Sequence, residues 1–268
     1  MYEILIVGGG PAGLTAAIYA ARAGKHVAVL ERGSTGGQII SAPLVENYPG
    51  IPSVSGTELA RQMTEQACTF GAEIVYTEAV GLEKTTAGFR VLCMDGVREA
   101  KAVILALGIT REKLYPGEAE FLGRGVSYCA TCDGMLYRGK TVALIGNNRE
   151  AYDDADFLRG IGCNVLHFRD NLRYEIRGGM KADTLIAGGQ EHPVDGVFII
   201  KDSISVSKLI DGLEYENGAI VTKRDMSTSI PGVFACGDCT GKPYQLAKAA
   251  GEGNIAALSA CEYVKENK

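Results

Sequence analysis

Runs of four to six apolar residues recur along the 268-residue chain and alternate with longer amphipathic or alanine-rich stretches. That alternation is the pattern of strand–helix–strand units feeding a parallel sheet, whose strands are covered on both faces and so read as continuous apolar runs. Tyr2–Val7 reads as a buried strand, Leu14–Ala23 as a helix stopped at Gly24, and His26–Leu30 as the next strand. Glu58–Gly71 reads as a second helix, and Glu73–Tyr76, Arg90–Met94 and Ala102–Leu107 as strands. Tyr115–Gly125, rich in Gly and Pro, reads as a hinge or boundary. The pattern then restarts with a strand at Thr141–Ile145, a helix at Glu150–Gly160 and a strand at Asn164–Phe168. Short strands at Thr184–Ala187 and Val197–Ile200, the segment Ser229–Cys236 and a Gly/Ala-rich helix, Ala247–Tyr263, complete it. A strand, a glycine turn and a helix thus occur twice, near residues 5 and 143, within an α/β chain.

Composition narrows the class. Net charge is −5, with 46% hydrophobic and 22% charged residues, a soluble globular balance that offers no support for nucleic-acid binding. No apolar run approaches the ~18–20 residues that span a bilayer, and the N-terminus has no basic segment before its apolar stretch. Neither membrane insertion nor a signal peptide is expected, and the expected location is cytoplasmic. In that reducing setting the eight cysteines read as thiols, metal ligands or redox pairs before structural staples. The 35 glycines, about twice ordinary usage and without a period, belong to tight turns and close backbone approaches.

Gly8-Gly9-Gly10-Pro11-Ala12-Gly13 is a G-x-G-x-x-G placed directly after a strand and opening a helix. The first glycine allows the tight turn, the second lets a pyrophosphate reach the backbone, and the third allows close strand–helix packing. The helix N-terminus adds free N–H groups and a positive dipole end. Glu31 closes the next strand, where an acid binds a ribose hydroxyl pair. These residues specify a dinucleotide and leave FAD and NAD both open.

Cys129-Ala130-Thr131-Cys132-Asp133 is a C-x-x-C followed by an acid. As a redox pair, one thiolate attacks a partner disulfide and the other resolves the mixed disulfide, with the carboxyl placed to move the proton. A metal site would need more ligands, and the other C-x-x-C, Cys236-Gly237-Asp238-Cys239, could in principle complete one. Cys68, Cys93, Cys163 and Cys261 stand singly and read as small core hydrophobes.

GGGPAGLTAAIYAARAG, the segment from Gly36 to Gly50, CATCDG, and IPGVFACGDCTG occur in this order. Together they resemble the low-molecular-weight thioredoxin reductase family. The resemblance implies a two-domain Rossmann-like α/β fold. An FAD-binding domain would span 1–112 and 201–268, with a shortened second nucleotide-binding-like domain, 113–200, inserted and carrying the C-x-x-C. It implies that Cys132 faces the flavin, Cys129 exchanges with thioredoxin and Asp133 donates the proton. Gly8, Gly10, Pro11, Ala12, Gly13 and Glu31 would hold the ADP half of FAD. Gly37, Gln38, Asn47, Val80, Gly108, Gly237, Asp238, Gln245 and Leu246 would complete the flavin contacts, and the enzyme would be a homodimer.

The second glycine turn departs from that family. Its NADPH-binding G-x-G-x-x-A reads Gly146-Asn147-Asn148-Arg149-Glu150-Ala151 here, so Asn148 replaces the glycine that admits the pyrophosphate and Glu150 adds negative charge. The family's H-R-R-x-x-x-R phosphate clamp reads His167-Phe168-Arg169-Asp170-Asn171-Leu172-Arg173. Only 21 residues separate Asp170 from His192, whereas a βαβ unit takes ~30 or more. The missing length falls in the NADPH domain, since two complete dinucleotide domains need roughly 300 residues. This departure resembles the ferredoxin-dependent flavin thioredoxin reductases and implies reduced ferredoxin as electron donor. NADPH gripped by Arg169 and Arg173, a second bound flavin, and a non-enzymatic flavin adaptor are the alternatives. Arg169, Arg173, Arg177 and Lys181 are the candidate docking surface for an acidic ferredoxin.

Overall fold

The computed structural model describes residues 1–109, 115–169, 171–200 and 209–267. The chain divides into two units, Met1–Thr110 with Ile204–Lys268, and Arg111–Ser203. The expected boundaries at 112/113 and 200/201 fall at residues 110–114 and 201–208, outside the described ones.

In chain order the first unit begins with β1 (Tyr2–Val7), α1 (Pro11–Arg22) and β2 (Val27–Glu31). It continues with α2 (Gly56–Thr69), β3 (Glu73–Tyr76), β4 (Ala79–Thr85), β5 (Gly88–Cys93) and β6 (Gly96–Leu105). Helix α1 starts three residues before the apolar period shows it, because Pro11 at its first position has no N–H to lose and a preset φ. Helix α2 starts two residues early because the Ser55 hydroxyl accepts the Glu58 N–H at 3.2 Å, a side-chain cap. Strand β6 is longer than the apolar run Ala102–Leu107 that announces it. Its first half, Gly96–Ala100, pairs antiparallel with β5, and its second half lies parallel to β1.

The second unit carries β7 (Val126–Ser127) and the one-turn helices α3 (Glu118–Phe121) and α4 (Ala130–Asp133). It then runs through β8 (Thr141–Ile145), α5 (Arg149–Gly160) and β9 (Asn164–Phe168). Strands β10 (Tyr174–Gly178), β11 (Ala182–Ala187), β12 (Gln190–Pro193) and β13 (Gly196–Ile199) follow. The chain returns to the first unit through β14 (Tyr215–Glu216), β15 (Ala219–Ile220), β16 (Val233–Ala235) and α6 (Leu246–Glu266).

In the first unit the sheet order is β3-β2-β1-β6, with β16 also on β6 and the antiparallel β5-β4 extending its other half. β1, β2, β3, β6 and β16 are parallel, the Rossmann order in which β1 and β6 flank the point where the winding reverses. The fully buried Ile4, Ile6, Ala102 and Ile104 face α1 and α6 on one side of the sheet. Leu5, Val103 and Leu105 face the other.

The second unit has a four-stranded parallel sheet, β7-β13-β8-β9, and a three-stranded antiparallel sheet, β10-β11-β12. α5 makes the crossover from β8 to β9, and the antiparallel sheet occupies the connection from β9 to β13, where a complete dinucleotide domain would carry a further βαβ unit. β10 and β12 are not apparent in the hydrophobic pattern, since Arg177, Gly178, Gln190 and Glu191 are exposed. Tyr115–Gly125 is in part packed structure instead of open hinge. Phe121 lies in the core of the unit, and Glu118 is fully buried, accepting the Tyr115 N–H at 2.8 Å and the Tyr128 hydroxyl at 2.9 Å.

Candidate functional site

The first unit gathers its motif residues at the carboxyl ends of its parallel strands. Gly8 follows β1, Glu31 ends β2, Gly108 follows β6 and Gly237 follows β16. Gly8 has φ +108°, and a Cβ there would lie 2.2 Å from the Ala106 carbonyl oxygen, so the turn demands glycine. At Gly13 a Cβ would lie 1.9 Å from the Gly8 carbonyl oxygen, so this glycine permits the close strand–helix approach. Gly10 is different: its φ of −76° suits any residue, and a Cβ there would meet nothing within 4 Å. Open space at that position is what a phosphate approaching the backbone requires.

Helix α1 begins beside that space with Gly10 as its N-cap, no side-chain cap and no acid in its first turn. Its first N–H groups and positive dipole end are left to an anion. The Glu31 carboxylate accepts the Gly9 N–H at 2.7 Å and the Gly33 N–H at 2.8 Å, which ties the end of β2 to the glycine turn. The Gly36 N–H donates to the Gly9 carbonyl at 2.7 Å, and a Cβ on Gly37 would lie 3.4 Å from the Gly10 Cα.

Residues more than 200 positions away join them. A Cβ on Gly237 would lie 2.8 Å from the Ala12 Cβ, and one on Gly253 of α6 would lie 2.2 Å from the Ala12 carbonyl oxygen. α6 starts at Leu246 after Gln245, again with no side-chain cap and no acid in its first turn. The Asn47 side-chain amide donates to Gln245 Oε1 at 3.4 Å, and the Gln38 side-chain amide donates to the Ile109 backbone carbonyl at 3.2 Å, next to Gly108. Asp238 stands on the tight turn Gly237–Thr240. Val80, half exposed, sits at an irregularity in the pairing of β4 with β5. The room at Gly10, the two helix starts without side-chain caps and the polar set around them fit a dinucleotide with a polar, extended chain.

In the second unit Cys129 and Cys132 form a disulfide. Cys129 is the N-cap of α4, and its sulfur accepts the Cys132 N–H at 3.2 Å, so the i, i+3 spacing is set by one helical turn. Asp133 follows on the same turn. Its Oδ2 accepts the Ser127 hydroxyl at 2.6 Å, and the Ser127 oxygen accepts the Cys129 N–H at 3.1 Å. Burial pushes the Asp133 carboxyl above its ordinary range, and the Ser127 bond partly offsets this. A carboxyl that keeps its proton more readily beside a disulfide is suited to return that proton when the sulfurs are reduced. Ser127 was not apparent as a functional residue; its position two residues before Cys129 on a strand is the signal that could have found it.

The second glycine turn differs from the first. Asn148 is the N-cap of α5, and its Oδ1 accepts the Ala151 N–H at 2.9 Å. Glu150 adds an acid to the first turn. The His167 ring nitrogen lies 3.1 Å from the Gly146 carbonyl oxygen, and Phe168 packs its ring against Tyr174 and His192. Arg177 of the candidate docking stretch is ion-paired with Glu175 at 2.7 Å and Glu191 at 3.7 Å, which reduces the positive charge available there. Asp170 lies outside the described residues.

The other cysteines divide. Cys236 and Cys239 are buried free thiols, both raised above the usual thiol range by burial, which suits packed neutral groups. Cys239 donates to the Leu105 carbonyl at 3.4 Å. Cys93 and Cys163 are buried, Cys261 is partly buried, and Cys68 is exposed, contrary to its reading as a core residue. No group of three or more His, Cys, Asp or Glu among the described residues is arranged to hold a metal ion. No helix among them is long and apolar enough to cross a membrane.

Comparison with known proteins places these features. The family described as pyridine nucleotide-disulphide oxidoreductase matches residues 2–182 and 171–253. A thioredoxin reductase of Treponema pallidum is 36% identical over 298 aligned positions, covering 98% of this chain and 97% of the relative. That alignment is at least 30 positions longer than this 268-residue chain, so the relative has residues with no counterpart here. The crystal structure of a thioredoxin reductase from Streptococcus pyogenes matches with a TM-score of 0.91 and 33% identity over 99% of both chains. A ferredoxin-flavin thioredoxin reductase from Clostridium acetobutylicum matches with a TM-score of 0.63 and 37% identity, over 99% of this chain and 98% of that one.

Proposed function

Because the chain belongs to the pyridine nucleotide-disulphide oxidoreductase family and is a thioredoxin reductase flavoenzyme, we propose that it reduces thioredoxin with electrons from reduced ferredoxin. FAD is its cofactor. The observation that carries the choice of donor is the Asn148 cap on α5, set against the open glycine turn at α1. Where NADPH would place its phosphates, a side-chain amide already takes a helix N–H and Glu150 opposes an anion. The shortened connection between β9 and β13 and the similarity to the ferredoxin-flavin thioredoxin reductase of Clostridium acetobutylicum support the same reading.

In the first unit Gly8, Gly10, Pro11, Ala12 and Gly13 would hold the pyrophosphate at the start of α1, with Glu31 toward the ribose. Gly37, Gln38, Asn47, Val80, Gly108, Gly237, Asp238, Gln245 and Leu246 would hold the rest of the cofactor. Bound FAD supplies the conversion of single electrons into an electron pair.

On two-electron reduction the Cys129–Cys132 S–S bond would break, giving two thiols once two protons are supplied. Asp133 holds and transfers a proton in this step, oriented by Ser127. The Cys129 thiolate then attacks the thioredoxin disulfide, forming a mixed disulfide and releasing one thioredoxin thiol. Cys132 displaces the second, which restores Cys129–Cys132 and leaves thioredoxin as a dithiol. Two copies of the chain assemble as a homodimer in this reading, with exposed Tyr19, Ile255 and Leu258 offering apolar area for the pairing.

A second reading keeps NADPH as donor, and the relatives named simply thioredoxin reductase favour it, as do the retained Arg169 and Arg173. Steady-state reduction of thioredoxin with reduced ferredoxin and, separately, with NADPH distinguishes the two. The proposal expects turnover with ferredoxin and fails if NADPH supports comparable turnover.

A further inference from the structure

We infer that Lys248 and Glu252 are positioning residues for the cofactor turn Gly237–Gly241, holding it in register with the start of α6. The inference rests on the reading of that turn as part of the FAD site. Lys248 and Glu252 stand one turn apart on α6 and form an ion pair at 3.2 Å, with side chains 16% and 18% exposed. The pair does more than close on itself. Lys248 Nζ lies 2.8 Å from the Gly237 carbonyl, 2.6 Å from the Gly241 carbonyl and 3.0 Å from the Thr240 hydroxyl. Glu252 Oε2 accepts the Gly237 N–H at 2.9 Å and the Thr240 hydroxyl at 2.8 Å.

The ammonium has three protons and four acceptors around it, so its donor capacity is fully used within this network. The turn therefore has its first N–H on the carboxylate and its carbonyls at both ends on the ammonium. Asp238 lies between those fixed points, and Gln245 and Leu246 begin the helix that bears both charged residues.

A secluded ion pair is a poor choice for stability alone, because desolvation offsets most of its attraction and an apolar pair of similar volume would pack α6 equally well. What an apolar pair cannot do is satisfy donors and acceptors at defined points of a tight turn. Registration of the turn is thus the role these contacts fit, and it acts on FAD through Asp238. The sequence motif ends at Gly241, so spacing alone would not single out positions 248 and 252.

The test uses the full chain purified with FAD. FAD release on dilution is followed by the recovery of flavin fluorescence, and the visible absorption spectrum and thermal unfolding are recorded at saturating FAD. K248M is expected to raise the FAD dissociation constant about tenfold or more, the size expected for losing hydrogen bonds to a charged group. It is also expected to displace the visible flavin bands. E252Q, which keeps an acceptor for Gly237 and Thr240, is expected to show a smaller change in the same direction, and it serves alone if K248M does not fold. Unchanged affinity and bands in the variants overturn the inference. So does a lower unfolding temperature with unchanged affinity and bands, which marks a merely structural role. A wild-type chain that binds no FAD overturns the flavin-site reading instead.

Discussion

The chain builds a strand, a turn and a helix twice, and the two copies treat the helix start in opposite ways. After β1, Gly10 leaves open space and α1 begins without a side-chain cap. After β8, Asn148 caps α5 through the Ala151 N–H. The first arrangement leaves helix N–H groups for a ligand, whereas the second satisfies one of them internally and stabilises the helix by about 1 kcal/mol. In the proposed reading, the turn that takes the nucleotide is the helix start that lacks a side-chain cap. The residue at the helix start marks the difference first, and Glu150 and the short connection from β9 to β13 add to it in the second copy.

The largest expected effect separates chemistry from cofactor binding. C129S removes the attacking thiol and should abolish multiple turnover with thioredoxin, while the purified protein keeps its full FAD content. Loss of flavin from C129S would show that the two units are not separable in this way.

G10N transplants the second turn's cap into the first. The Gly10 backbone at φ −76° accepts a side chain without strain, so the change acts through the ligand space. FAD affinity should fall on the order of 100-fold, as expected for displaced hydrogen bonds to a charged phosphate. A fluorescence titration that finds G10N binding FAD as tightly as wild type would break the comparison.

The converse change is smaller. N148A should cost about 1 kcal/mol in denaturant unfolding through loss of the cap, and N148G a few tenths. Neither should gain NADPH-driven flavin reduction, because Glu150 and the short β9–β13 connection remain. NADPH-dependent bleaching in N148G would show that the cap alone excludes the nucleotide.

These differences were legible to unequal degrees. Gly8, Gly10, Gly13 and Asn148 could be read because each glycine position answers one steric demand, and strand and helix flank it in sequence. The family resemblance assigns Gly237 and Ala12 to one cofactor, but nothing local in the sequence specifies their contact across more than 200 residues. Strands β10 and β12 do not stand out in the sequence because exposed polar residues such as Arg177 and Glu191 interrupt the apolar pattern. Ser127 carries only a weak signal, its place two residues before Cys129, and Cys68 departs from its reading as a core residue because its helix turns that position outward. Arg177 also shows that charge along a sequence is not free charge, as Glu175 and Glu191 take it up.

The smallest effect concerns Asp133. Burial raises its folded-state pKa, so it adds stability at low pH that is lost as pH rises from the ordinary carboxylate value of ~3.9 through the folded value. D133N removes that dependence, and its stability curve above pH ~4 should fall less than that of the wild type. A curve parallel to wild type over this window would place the Asp133 proton in an ordinary environment.

In the proposed reading, the second turn does not serve a nicotinamide nucleotide. Anaerobic stopped-flow mixing of the oxidised flavoprotein with NADPH, and in parallel with reduced ferredoxin, tests it directly through the flavin absorbance. The account predicts bleaching with ferredoxin on the timescale of thioredoxin turnover and none with NADPH on that timescale. Bleaching by NADPH at a rate sufficient for turnover would contradict it.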